Sequence, residues 1–120
     1  MNNKALEGIK KASPEKRYKH FLSTVSDSEV IWLLSSSEGL TTYDFDGYVN
    51  VPVWPRKEFC SDFETEADKP FSMEIHEFLD ECLSLEDGFR FMVFPTKENS
   101  YMVDKEQLCE DIEDLLDEIE

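Results

Sequence analysis

The chain is poor in positive charge. Its 120 residues include 12 Lys and Arg against 28 Asp and Glu, which gives a formal net charge of −16. Nucleic acids and anionic membrane surfaces are bound mainly through Lys and Arg, so this shortage argues against both as partners. We expect no nucleic acid and no membrane among the partners, and a basic protein is the partner that the charge favours.

Long apolar runs are absent as well. The longest, residues 30–34 and 91–95, are far shorter than the roughly 18 continuous apolar residues of a membrane span. The first 20 residues are polar and basic and lack the apolar core of a secretory signal. These features predict a cytoplasmic protein.

Cysteine and glycine are scarce. The three cysteines, Cys60, Cys82 and Cys109, are odd in number and form no CxxC pair, which argues against a disulfide framework or a zinc knuckle and predicts small buried side chains. Four scattered glycines form neither a phosphate-binding loop nor a GxSxG serine-nucleophile motif. We therefore predict no catalytic residues and no cofactor.

What remains is the composition of a folded domain. Hydrophobic residues make up 40% of the chain and aromatic residues 12%. At this length there is room for one hydrophobic core, so a single domain is expected over residues 1–120.

Apolar periodicity and turn residues predict the element order ααβββααββα. The predicted helices cover residues 5–12, 14–25, 55–63, 74–83 and 104–119; the predicted strands cover residues 29–36, 39–43, 48–53, 89–95 and 100–103; residues 64–69 form a polar loop. Hairpin links join the strands, and the first three form a meander. Such an order is typical of an α+β fold with a mostly antiparallel sheet of about five strands packed by helices.

Two local signals refine this prediction. Asp44 and Asp46 precede Gly47 as in a calcium loop, but the Gly and Glu positions of an EF-hand are not matched, so a hairpin turn is expected. Pro52 and Pro55 lack ladder donors, so the third strand is expected to end at an edge or to leave the sheet near Trp54.

The histidines suggest little chemistry. His20 and His76 lie on separate predicted helices, and neither has a His or Cys three or four positions later. His76 and Asp80 could share a helical face, but a solvent-exposed histidine is the simpler interpretation, and we predict no metal site. Cys60 is surrounded by carboxylates, which disfavour a thiolate nucleophile.

Aromatic side chains at the proline-bounded end of the sheet offer a candidate interaction surface formed by Trp54, Arg56 and Phe59. The simpler interpretation is core packing, because a small domain must bury large side chains to offset its ordering entropy. Both interpretations remain open from the residues alone.

The negative charge is concentrated at one end of the chain. Residues 1–20 carry six basic and two acidic side chains, whereas residues 104–120 carry one basic and nine acidic ones. A solvated face is the simpler interpretation of this last helix; the alternative is a docking surface for a basic partner, with the basic first helix as an electrostatic neighbour. Its candidate surface residues are Glu110, Asp111, Asp114, Asp117 and Glu118.

Six segments, taken in order, resemble a bacterial family catalogued as domain of unknown function 2750. They are RYKHFL (17–22), EVIWLL (29–34), GLTTYDFDG (39–47), VPVWPRKEF (51–59), MEIHEFL (73–79) and DGFRFMVFP (87–95). The resemblance covers about residues 13–117. It implies no activity and no catalytic residues, and Arg56 stands where the family frequently has His after Trp-Pro.

These observations favour a non-catalytic protein-binding module. One specific version is an immunity-like or antitoxin-like protein whose acidic surface covers the nucleic-acid site of a basic toxin, and another is an acidic mimic of nucleic acid. The alternative from a different class is an enzyme or small-ligand binder that uses the aromatic end of the sheet with His76, Glu77 or Arg56.

Overall fold

The computed structural model describes the backbone of residues 8–119 and the side chains of residues 8–118. Its helices are α1 (Pro14–Ser28), α2 (Ile75–Ser84) and α3 (Lys105–Ile119), and Lys57–Cys60 forms a short 3₁₀ helix. Residues 8–10 are helical; residues 5–7 of the predicted first helix lie outside the described residues. The strands are β1 (Val30–Ser36), β2 (Gly39–Leu40), β3 (Tyr43–Phe45), β4 (Tyr48–Val53), β5 (Lys69–Glu74), β6 (Phe89–Val93) and β7 (Tyr101–Asp104).

Helix α1 begins where Ser13, an N-cap residue, followed by Pro14 predicts a start, but it continues three residues beyond the predicted end, to Ser28. The Ser13 hydroxyl accepts the Lys16 N–H at 3.3 Å, and Pro14 occupies the first turn, where a missing N–H costs nothing. Glu29 still donates its N–H to the Val25 carbonyl at 2.8 Å, and its positive φ of 59° then turns the chain out of the helix.

The strands form two sheets that meet at one point. Their orders are β2-β1-β5 and β3-β4-β6-β7, and every pairing is antiparallel except β4 with β6. The sheets are joined where Trp32 and Trp54 exchange backbone hydrogen bonds of 3.0 and 2.9 Å. The α+β class with mostly antiparallel pairing is thus confirmed, but the predicted three-strand meander is wrong: it is two hairpins in different sheets.

Strand β5 was not predicted. It pairs with β1 at six positions, from Val30↔Glu74 to Ser35↔Lys69. Its sequence contains Pro70 and charged residues at both ends, so local propensity does not indicate a strand. Tertiary pairing with the apolar strand β1 determines its conformation.

Strand β4 accommodates Pro52 inside its sheet. The Val49 N–H donates to the Gly88 carbonyl at 2.8 Å, whereas the Trp54 N–H points to the opposite side, towards Trp32. Because successive N–H groups alternate sides, Pro52 faces the same side as Trp54. Strand β3 has already ended there, opposite Asn50, so the missing donor leaves no gap in the ladder. Strand β4 thus lies between β3 and β6, but past Asn50 it has no β3 partner, and the chain leaves the sheet at Trp54, as expected.

The predicted helix over residues 55–63 is reduced to the single 3₁₀ turn, whose Phe59 and Cys60 are buried.

The core lies between the sheets and the three helices, and it includes Phe21 and Val25 of α1, Phe78 of α2 and Ile112 of α3. All three cysteines are buried and free, as predicted. None of the helices among residues 8–119 combines the length and the apolar character needed to cross a bilayer.

Candidate functional site

Helix α3 separates its side chains into two faces. Leu108, Cys109, Ile112 and Leu116 are buried against the domain. The opposite side is exposed and carries only carboxylates among its charged groups; we call it the acidic face, and it comprises Glu106, Glu110, Glu113, Asp114, Asp117 and Glu118. Four of the five predicted surface residues of this helix therefore lie on the acidic face.

The fifth, Asp111, has a structural contact. Its Oδ2 accepts the hydroxyl of Tyr18 at 2.6 Å, which ties α3 to α1, and the side chain is only partly exposed. Burial and the neighbouring carboxylate raise the pKa of Tyr18 far above its ordinary value. Asp111 therefore belongs to the helix interface rather than to the open surface.

Asp104 and Gln107 have the spacing of a capping box at the start of α3, but only half of the box forms. The Asp104 carboxylate accepts the Gln107 N–H at 2.8 Å, but the Gln107 amide donates to Asp111 Oδ1 at 2.8 Å instead of reaching back to Asp104. The reciprocal half of the capping box is thus replaced by a side-chain contact one turn along the helix.

Within residues 8–118, the acidic face forms no ion pair. The ion pairs there join Lys10 to Asp62, His76 to Glu74 and Arg90 to Asp46. Helix α1 does pack beside α3, and Lys19 and Asp114 both line the shallow groove between them. The carboxylates of the acidic face are consequently compensated by no cation at contact distance in this part of the chain.

The aromatic candidates do not form a surface. The side chains of Trp54 and Phe59 are 0% and 1% exposed, so the prediction that they line an interaction groove is wrong. Trp54 occupies the junction of the two sheets, where its indole N–H donates to the Pro95 carbonyl at 3.1 Å, and Phe59 packs against Phe94 with ring centroids 4.5 Å apart. Both rings belong to the hydrophobic core. Arg56 alone of the three is exposed.

A buried arginine supports this junction and was not recognised as such from the sequence. Arg17 is 1% exposed and donates to the carbonyls of Ala12, Phe94 and Asn99 at 2.6, 3.1 and 3.0 Å, and also to the Asn99 side chain. Burial lowers its pKa. The guanidinium thus ties α1 to the segment that follows β6, and the only sequence signal was its place on the buried side of α1, next to Tyr18.

The titratable groups considered for chemistry lie in separate environments. Burial, with a smaller contribution from Glu64 and Glu58, raises the pKa of Cys60 to about 12. His20 is half-buried, and burial lowers its pKa. His76 lies on an exposed turn of α2, where its Nδ1 is 2.6 Å from Glu74 Oε1. Among residues 8–118, no three His, Cys, Asp or Glu side chains are grouped so that they could hold a metal ion.

A groove between α2 and α3 was also missed. It encloses about 360 Å³, and its walls include Leu79 and Leu83 of α2 and Leu116 of α3, with Asp80, Glu113 and Asp117 beside them. Leu79 and Leu116 are buried, whereas Leu83 is 70% exposed. The helical period of each segment shows which residues share a face, but only the packing of α2 on α3 brings the two faces together.

A second, more apolar cavity of about 210 Å³ opens between the sheets. Leu33, Val51 and Phe91 line it from the strands, and Phe78 and Glu81 line it from α2.

The comparison with protein families identifies one family. The model of the family described as "Protein of unknown function (DUF2750)" matches residues 18–112, which is 95 of the 120 residues and includes the sheets, α2 and the first half of α3. No curated protein matches the chain. The resemblance drawn from the six segments is confirmed, and the chain belongs to the DUF2750 family of unknown function.

Proposed function

We propose that the protein is a non-catalytic binding module that engages a basic protein through the acidic face of α3. The observation that carries this proposal is that face itself, six exposed carboxylates of α3 that make no ion pair within residues 8–118. A cationic partner would supply the compensating charge.

The acidic face costs the free protein stability, and this cost supports a role in binding. Glu110, Asp114 and Glu118 follow one another at i and i+4, where like charges repel by a few tenths of a kcal/mol per pair. The carboxylates in the last turn also oppose the helix dipole. A basic partner removes both penalties on association, so binding would be coupled to stabilisation of α3.

Charge complementarity of this kind acts chiefly on association rate and specificity. It therefore predicts affinity that falls as salt rises. The more specific proposal is an immunity-like or antitoxin-like protein whose acidic face covers the nucleic-acid site of a basic toxin. The alternative within the same class is a protein whose acidic face mimics nucleic acid.

A binding role also agrees with the state of the reactive groups. The raised pKa of Cys60 keeps the thiol protonated at neutral pH and withholds the nucleophilic thiolate. Burial lowers the pKa of His20, whose ring centroid lies 6.4 Å from that of Phe59 and 6.2 Å from that of Phe94. Both groups are used in packing.

The test uses two variants of equal charge. In the first, Glu110→Gln, Asp114→Asn, Asp117→Asn and Glu118→Gln neutralise the acidic face; in the matched control, Glu38→Gln, Glu58→Gln, Glu64→Gln and Glu66→Gln neutralise four exposed carboxylates elsewhere. The wild-type chain is used to capture a partner from cells that naturally produce it, and the purified partner is then titrated against all three proteins. We expect loss of binding only in the first variant; equal losses in both variants, or affinity independent of salt, would contradict the proposal.

Small-ligand binding is the second candidate function, and the cavity between the sheets is the observation that favours it. Apolar cavities of this size stay dry and take up small apolar molecules. Titration with the probe N-phenyl-1-naphthylamine tests it, because its fluorescence rises in an apolar site. Leu40→Asp, at the cavity, is expected to reduce the signal, and Phe45→Ser, an exposed apolar position outside the cavity and outside the groove between α2 and α3, to leave it unchanged.

A further inference from the structure

We propose that the groove between α2 and α3 is the docking site for a basic amphipathic helix of the partner protein. This inference rests on the proposed function and names the place and the chemistry of the contact. It adds an apolar requirement to a surface that otherwise selects its partner by charge alone.

The floor of the groove is apolar. Leu79 and Leu83 stand four positions apart on α2, so they lie one above the other on the same face, and Leu116 meets them from α3. Leu79 and Leu116 are buried at the bottom, whereas Leu83 projects with 70% of its surface exposed, the largest exposed fraction among the exposed large apolar residues of the described chain. A large apolar side chain on a strongly acidic surface gains most from a partner that covers it.

The rim of the groove is negatively charged on both sides. Asp80 lies next to Leu79 on α2, while Glu113 and Asp117 flank Leu116 on α3. The remaining titratable group that lines the groove is His76, which contacts Glu74. An apolar strip with carboxylates on both sides is complementary to a helix with an apolar stripe and Lys or Arg on either side of it.

The geometry favours a helix as the occupant. Two packed helices leave a groove that a third helix fills with the ridge of its own side chains. The groove extends along α2 from His76 to Leu83, a rise of about 10 Å at 1.5 Å per residue, which is about two helical turns. Two or three apolar residues at i, i+4 and i+7 of the partner would therefore fill it.

The probe for the test is a synthetic, end-capped peptide of about 14 residues with leucines on one helical face and lysines around them. Its comparison peptide has the same composition in an order that breaks the apolar face. Binding is measured from the fluorescence anisotropy of a rhodamine label at low ionic strength. We expect the amphipathic peptide to bind at least about tenfold more tightly than the scrambled one, because burial of a single leucine is worth about that factor.

Two substitutions separate the groove from the general acidity of the protein. Leu83→Ser removes the exposed side chain at the groove and is expected to weaken the amphipathic peptide by about tenfold or more. Leu40→Ser removes the 42% exposed leucine of β2 and is expected to change affinity less than twofold. Because both positions are exposed, both variants should fold, and the thermal midpoint of each verifies this. Peptide-induced amide shifts in ¹⁵N NMR spectra should cluster at residues 76–83 and 113–117.

The outcomes distinguish the two proposals. If both peptides bind equally, with salt-dependent affinity that Leu83→Ser does not change, the groove proposal is overturned and the acidic-face proposal stands. Shifts that cluster away from α2 and α3 also overturn the groove proposal. Absence of binding by either peptide overturns it as well, while the acidic-face proposal is decided separately by its own charge-matched variants.

Discussion

Two regions of the molecule differ in how far they expose a large apolar side chain. At the junction of the sheets, Trp54 is completely buried and its indole N–H is paired with the Pro95 carbonyl. On α2, Leu83 is 70% exposed beside a groove with acidic walls. Tryptophan is a common anchor of interfaces and leucine a common core residue, yet here the tryptophan is in the core and the leucine is at the surface. Position in the fold decides between these roles.

The largest expected effect comes from removing the junction. Trp54→Ala should lower the free energy of unfolding by about 3–5 kcal/mol, because it leaves a cavity and removes the partner of the Pro95 carbonyl. Leu83→Ala should change it by less than about 0.5 kcal/mol, since the side chain is exposed. Urea denaturation measures both. Similar decreases of the free energy of unfolding in the two variants would contradict the contrast between a buried Trp54 and an exposed Leu83.

The next effect comes from the buried arginine. Arg17→Met should lower the free energy of unfolding by about 2–4 kcal/mol, because the carbonyls of Ala12, Phe94 and Asn99 lose their donor. Lys16→Met, at the exposed neighbouring position, is the matched control and should be nearly neutral. A loss below about 1 kcal/mol, measured by the same urea titration, would show that the junction does not depend on this guanidinium.

A smaller effect should appear at alkaline pH. The pKa of Cys60 is raised from 9.0 to about 12, so the unfolded state loses its proton first as pH rises above 9, and stability falls until the folded-state pKa is reached. The slope due to this thiol approaches about 1.4 kcal/mol per pH unit. Chemical denaturation of wild type and Cys60→Ala between about pH 8 and 10 isolates it, because the ionisation of the tyrosines and of the other thiols is common to both proteins. Parallel curves for the two proteins would show that Cys60 does not cause the loss.

The smallest effect belongs to the acidic face. Asp117→Asn with Glu118→Gln should raise the free energy of unfolding by a few tenths of a kcal/mol, because these carboxylates repel their neighbours and oppose the helix dipole near the end of α3. Added salt should stabilise the wild type more than the variant, since it screens the same repulsion. Glu64→Gln with Glu66→Gln, made outside the helices, is the charge-matched control. Thermal midpoints compared at low and high salt provide the measurement.

Prediction from the sequence succeeded where local patterns decide structure. The apolar spacing of α1, α2 and α3 identified the helices, and Ser13 with Pro14 located the start of α1. Prediction from the sequence failed where pairing between distant segments decides the structure. Strand β5 contains a proline and charged ends and becomes a strand only because β1 presents a free edge, and the parallel contact of β4 with β6 joins segments about 40 residues apart.

The candidate site divides in the same manner. The acidic residues of α3 were identified from charge alone, because a helix with one apolar stripe must expose its other side. Asp111 was misplaced because its Tyr18 partner is 93 positions away in the chain. The sequence did not identify Leu83 as a candidate site residue, because its exposure and its position beside Leu116 depend on how α2 packs on α3.

By itself, the sequence determined the class of the fold, the three main helices, the family and the accumulation of negative charge on the last helix, because each depends on composition or on spacing within one segment. The tertiary structure decided that Trp54 and Phe59 are core, that Arg17 is a buried tie, and that two helices enclose an apolar groove with acidic walls. These properties depend on which distant segments meet, and that is settled by packing of the whole chain rather than by any local pattern.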